Sequence, residues 1–193
     1  MTHFQEAIEP QENFPPIHPP ISALLELPRD IDGVAIHNLV RRSPFLDDNS
    51  LYCYLMVCSH FAETSVVARI NSELVGVITA YIPPQQPDTL FVWQVAVAKT
   101  AQRRGLARAM LEHIVQRNTL QHIKWLETTV TLDNQASRGL FESLAKRMHC
   151  DLQEAIMFNR KGHFNNLHDS EYRLRIGPIG SQAGRSSDST GAQ

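Results

Sequence analysis

The chain has 193 residues, 42% of them hydrophobic and 20% charged, which is enough apolar content for one packed core of ordinary size. Its formal net charge of −2 excludes the basic field that would hold a nucleic-acid backbone or an anionic membrane surface. No apolar run approaches the roughly 18 residues of a membrane span and the first residues lack the layout of a signal peptide, so a cytoplasmic protein with Cys53, Cys58 and Cys150 reduced is expected.

Residues 1–19 carry the run EPQENFPPIHPP, where proline removes donors and fixes φ against helix or central strand. Residues 178–193 are mostly glycine and serine with little to bury. Both are expected to be flexible tails around a single domain over residues 20–177. Inside it a short strand, 23–27, precedes a helix over 31–42 with Asp30 as its N-cap. A second helix covers 50–61, capped by Ser50 or Asn49. Three strand-like runs follow at 64–70, 74–82 and 89–98, the first two close enough through a short polar turn to form an antiparallel hairpin. A helix after residue 105, a strand at 123–131, a helix at 134–148 and a strand at 171–176 complete the order. The expected fold class is α/β (α+β): a mixed, mostly antiparallel central sheet flanked by helices.

The turn Gln102–Ala107, QRRGLA, joins a strand to a helix. Gly105 permits backbone conformations closed to other residues. Ala107, Met110, Leu111 and Ile114 form an apolar stripe on the helix that follows. The free N–H groups at that helix start, with Arg103 and Arg104 beside them, make a candidate cradle for a phosphate or pyrophosphate. The alternative is an ordinary strand–helix connection. No GK[ST] follows and only one glycine is present, so neither the P-loop nor the dinucleotide fingerprint applies.

VAVAKTAQRRGLARAML resembles the acetyl-coenzyme A motif of the GCN5-related N-acetyltransferases (GNAT), [QR]xxGx[GA], met here by Gln102, Gly105 and Ala107. The resemblance implies the GNAT fold with a splayed strand pair, and acetyl-CoA bound through the turn Gln102, Arg103, Arg104, Gly105, Leu106 and Ala107. It also implies pantetheine against the main chain of Val95 and Val97, and Asn134 of DNQASRGLF at the cofactor arm. LDDNSLYCYLMVCSHFAETSVVA, DTLFVWQVAVA, TVTLDNQASRGLF and HDSEYRLRIG are together similar to one branch of that superfamily, the L-2,4-diaminobutyrate acetyltransferases of ectoine biosynthesis, which are homodimers. This implies transfer of acetyl to the γ-amine of a small-molecule substrate.

That chemistry has to hold an ammonium and then take its proton, since only the neutral amine attacks a thioester. By resemblance, Asp47 anchors the amine with Tyr52 beside it, Trp93 lines the pocket, and Glu171 is the proton acceptor with His168 near the thioester. Asp48 is expected to be solvated. A main-chain N–H near Val95 is expected to meet the oxyanion. Phe141 stands where many members carry a tyrosine that protonates the thiolate, which leaves Tyr172 or His168 for that step. Gln102 replaces the arginine usual among the nearer relatives, and Ser43 and Phe45 replace a cysteine and a proline. No histidine or cysteine pair has ligand spacing, so no metal is expected. The other functions considered are acetylation of another small diamine and non-catalytic acyl-CoA binding.

Overall fold

The computed structural model describes residues 22–180. Apart from residues 178–180, the expected tails lie outside the described residues. Seven strands form one sheet: β1 (Leu24–Glu26), β2 (Val66–Ile70), β3 (Glu73–Tyr81), β4 (Thr89–Val97), β5 (Trp125–Val130), β6 (Asp151–Phe158) and β7 (Glu171–Gly177). Their spatial order is β1-β2-β3-β4-β5-β7-β6. All neighbours are antiparallel except β4 and β5, so the mixed sheet expected from the sequence is present. The β2–β3 hairpin turns on Asn71 and Ser72, both at positive φ (48° and 68°), the left-handed pair that matches strand twist.

Helices α1 (Gly33–Arg41) and α2 (Leu51–His60) cover one face of the sheet, and α3 (Leu106–Val115) and α4 (Gln135–Arg147) cover the other. On the α1–α2 face Ile36, Val40, Tyr54 and Cys58 meet Val67, Val77 and Ala96. On the α3–α4 face Met110, Leu111, Ile114, Phe141 and Leu144 pack on Ile78, Leu90, Val92 and Leu126. The buried side of α3 includes Leu106 while Ala107 is half-buried, a shift of one residue from the expected stripe.

One helix start differs from expectation and one is resolved between two candidates. Asp30 opens a single 3-10 turn, Asp30–Asp32, and α1 begins after it. Asp32 is buried and bound to the Arg69 guanidinium at 2.5 Å, so the chain turns first to satisfy that ion pair. Ser50, not Asn49, caps α2, its hydroxyl accepting from the Cys53 N–H at 3.2 Å. Strand β6 was not expected: it lies at the sheet edge with most residues exposed, so its pattern shows no buried alternation.

Two features set the centre of the sheet. Thr79 pairs with Gln94 and Ala80 with Val92, which makes Trp93 the extra residue of a β-bulge in β4. On the other edge, β4 pairs with β5 from Thr89 and Trp125 as far as Phe91 and Glu127, and beyond that the strands part. At the fork Glu127 is 2% exposed and binds Arg175, with Arg173 at 3.9 Å; Arg175 also stacks on Trp125 at 4.2 Å. Removing one partner of such a pair strands the other charge. Glu127→Ala is expected to cost about 3 kcal/mol, seen as a lower urea midpoint at unchanged m-value. A variant unfolding within about 0.5 kcal/mol of the parent shows that the fork does not depend on the pair.

Candidate active site

A cleft of about 560 Å³ opens where β4 and β5 separate. Strand β4 contributes Trp93, Gln94 and Val95, and β5 contributes Thr128, Thr129 and Val130. The loop before α2 brings Asp47, the N-cap and the middle of α4 bring Asn134 and Phe141, and the segment before β7 and the first residue of that strand bring His168 and Glu171. Asp47, Trp93, Val95, Asn134, His168 and Glu171, far apart in sequence, therefore share one cavity. Tyr52 does not line it and is 69% exposed. Tyr172, the other candidate acid, is also outside the lining, whereas His168 is within it.

Glu171 titrates above the ordinary carboxylate value. Burial is the main cause; Asp47 and Asp133 push the same way, while the Thr129 side chain and His168 oppose. The His168 ring nitrogen Nδ1 lies 2.7 Å from the Asp169 carbonyl. A carbonyl oxygen only accepts, so Nδ1 carries the proton and Nε2 is free for other partners. Phe141 is buried in the cleft wall. Asn134 is buried and caps α4, its Oδ1 accepting from the Ser137 N–H at 3.1 Å.

The turn before α3 has the shape of an anion cradle. Arg103 and Gly105 both take positive φ, 58° and 77°, a strained conformation for arginine and an ordinary one for glycine. The Ala109 N–H donates to Gly105 O at 3.0 Å, and the N–H groups before it have no acceptor inside the helix. Arg104 Nε is buried with no hydrogen-bond partner, a donor that an anionic group at this turn would satisfy. The Gln102 side chain instead holds the turn to its strand, Nε2 donating to Val97 O at 2.9 Å.

Two site residues escaped the sequence reasoning. Gln94 is buried; its Nε2 donates to the Asp47 carbonyl at 3.2 Å, and its Oε1 accepts from the Tyr54 hydroxyl at 3.2 Å. Tyr54 is fully buried under α2, and burial pushes its hydroxyl pKa up. A lone polar side chain in LFVWQVAV was the available signal, because a buried amide requires partners. Asp48 is not simply solvated: its carboxylate meets His37 Nε2 and Arg41 Nε, each at 3.3 Å. The Asp47 loop is thus held from both sides.

Residues 33–145 match the Acetyltransferase (GNAT) family. The chain is 47% identical over 147 residues to the L-2,4-diaminobutyric acid acetyltransferase of Methylotuvimicrobium alcaliphilum, covering 76% of this chain and 86% of that protein. It is 48% identical over 164 residues to the protein of the same name from Bordetella parapertussis, covering 83% and 88%. Among solved structures it is similar to the diaminobutyrate acetyltransferase EctA from Paenibacillus lautus in complex with its substrate L-2,4-diaminobutyric acid and coenzyme A. That likeness has a TM-score of 0.78 at 34% identity, over 81% of this chain and 95% of that one. Ard1 from Thermoplasma volcanium shares the fold, with a TM-score of 0.67 at 13% identity over 81% and 99%.

If Gln94 holds the Asp47 loop, Gln94→Leu should speed amide hydrogen exchange across residues 43–49 by roughly fivefold, the worth of about 1 kcal/mol for one net hydrogen bond. Exchange in α3 and α4 should be unchanged. Unaltered protection in the loop means that the amide does not hold it.

Proposed function

The chain belongs to the Acetyltransferase (GNAT) family, and we propose that its activity there is transfer of acetyl from acetyl-CoA to the γ-amine of L-2,4-diaminobutyrate. The product, N-γ-acetyl-L-2,4-diaminobutyrate, serves ectoine synthesis and so osmoprotection. The observation that carries this proposal is the cleft at the strand fork, where carboxylates suited to an amine and an indole gather along the unpaired part of β4. A protein that merely held an acyl carrier would have no use for them.

Acetyl-CoA supplies a thioester carbonyl open to attack. The Arg103–Ala107 turn takes its pyrophosphate through backbone N–H groups and Arg104, with Gln102 keeping the turn on its strand. Beyond Phe91, β4 has no partner on the β5 side among the described residues, which leaves main chain at Val95 and Val97 for the pantetheine amides. Asn134 borders the arm.

Asp47 holds the substrate ammonium, and Trp93, 39% exposed, offers its indole face, worth about 0.5–2 kcal/mol to a cation. Glu171 takes a proton from the γ-ammonium, directly or through water. The neutral nitrogen attacks the thioester carbon, and a C–N bond forms as the carbonyl oxygen becomes an oxyanion met by main-chain N–H near Val95. Collapse breaks the C–S bond and releases the thiolate. The attacking nitrogen gives its second proton to His168 Nε2, and the imidazolium so formed returns a proton to the thiolate, a step for which Phe141 has no proton to give.

The protein acts in the cytoplasm as a homodimer. Among the described residues no helix is long and apolar enough to cross a membrane, and all three cysteines are free thiols. Exposed Ile156, Met157 and Phe158 on the edge strand β6 supply apolar surface of the kind subunit contacts cover.

The test is thiol release from acetyl-CoA with a panel of diamino acids, the acetylated nitrogen assigned by NMR, and light scattering for a mass of twice 21.8 kDa. The proposal expects preference for L-2,4-diaminobutyrate at Nγ. Preference for ornithine or lysine, or tight acetyl-CoA binding without turnover, replaces it with another diamine or a binding role. Because the Glu171 carboxyl titrates high, the base form is lost, as pH falls, at a higher pH than for an ordinary carboxylate. The acid limb of kcat should therefore lie above that range. Glu171→Gln should remove this limb and lower kcat roughly 10²–10⁴-fold; full activity at every pH sinks the assignment.

A further inference from the structure

We propose that Arg160 receives the α-carboxylate of the substrate and thereby makes the enzyme select a diamino acid over a plain diamine. This rests on the diaminobutyrate assignment, and it concerns a residue that the sequence did not single out. The cleft lining contains four carboxylates, Asp47, Asp133, Asp169 and Glu171, and one guanidinium, Arg160. Diaminobutyrate enters with two ammonium groups and one carboxylate. Carboxylates suit its two amines, but they repel its own carboxylate, and Arg160 is the one arginine or lysine among the lining residues that offers it opposite charge.

Arg160 is also held in place. Its backbone N–H donates to Ser170 Oγ at 2.9 Å, and its carbonyl accepts from the Asn166 N–H at 2.9 Å. Within the same loop Asn159 Oδ1 accepts from the N–H groups of Lys161 and Gly162 at 2.9 and 3.1 Å. The guanidinium is oriented by Asp169, whose Oδ1 accepts from Nη1 at 2.7 Å. That bond uses one of five donors, and the remaining fork can take a second carboxylate through two parallel bonds. Other nearby arginines are committed elsewhere: Arg173 and Arg175 face Glu127, and Arg138 is paired with Glu154 through both terminal nitrogens. Asp169 adjoins His168, so the segment that orients the carboxylate receptor also carries the imidazole, and a substrate held at Arg160 is set relative to both His168 and Glu171.

The experiment compares kcat/KM for L-2,4-diaminobutyrate and for 1,3-diaminopropane, which keeps both amines and lacks the carboxylate, in wild type, Arg160→Gln and Arg160→Lys. Wild type is expected to prefer the amino acid strongly. Arg160→Gln should lower kcat/KM for diaminobutyrate roughly 10- to 100-fold through KM, the range for hydrogen bonds to a charged group. The diaminopropane value should fall far less, so the preference collapses, with KM for acetyl-CoA unchanged. Arg160→Lys should restore part of the preference, since a point charge replaces the fork. Equal losses on both substrates would mean that Arg160 only orders its loop, and no loss would mean that the carboxylate binds elsewhere; either overturns the inference while leaving the diaminobutyrate assignment intact. Wild-type protein that acetylates neither compound overturns the assignment, and the inference with it.

Discussion

The β-bulge at Trp93 is the constraint on which the rest of the structure depends. In a regular sheet β4 would pair along both edges and its backbone would have no free groups to offer. Here one extra residue enters β4 against β3, and the pairing with β5 stops at Phe91 and Glu127. The two strands then diverge with a cleft between them. The bulge places Trp93 and Gln94 side by side, the indole in the cavity and the amide toward the Asp47 loop. A bulge that bends a strand and re-aims a side chain beside a working site is a recurrent use of the device.

Opening a sheet at its centre exposes polar backbone, and the structure compensates on both sides of the fork. Below it, Glu127 is buried but neutralised by Arg175, with Arg173 nearby. Above it, Tyr54, Gln94 and the Asp47 carbonyl form a chain of two hydrogen bonds reaching from the α2 layer to the loop. The same helix layer grips Asp48 through His37 and Arg41. The Asp47 loop lacks regular structure of its own, yet three elements locate it, which suits the ammonium-holding role proposed for Asp47.

The electrostatics of the cleft are divided by task. Outside the cleft lining, the α3 turn holds free N–H groups and the unpartnered Arg104 Nε, which fit the polyanion of the proposed reaction. The cleft is rich in carboxylates, and burial, with smaller repulsions from Asp47 and Asp133, raises the Glu171 pKa. A carboxyl poised in this way is a better proton acceptor near neutral pH than an ordinary one. A single guanidinium within that acidic wall gives the cavity a direction.

By itself the sequence determined the succession of elements other than β6, the mixed sheet and the α3 turn, because these follow from local rules: apolar periodicity for α3, a short polar turn for the β2–β3 hairpin, and a glycine where φ must be positive. Motif similarity added the acetyl-transfer chemistry and named Asp47, Trp93 and Glu171. Only the tertiary structure decided the remainder. Edge strand β6 has no buried face and so leaves no alternation to detect. Asp30 resembled an N-cap, but the burial of Asp32 against Arg69, 37 residues away, moved the helix start. The role of Gln94 arises from partners 40 and 47 residues distant, and the one proposed for Arg160 from the company of four carboxylates. Such roles are properties of a folded neighbourhood, since charge and hydrogen-bond complementarity depend on distances that chain order does not encode.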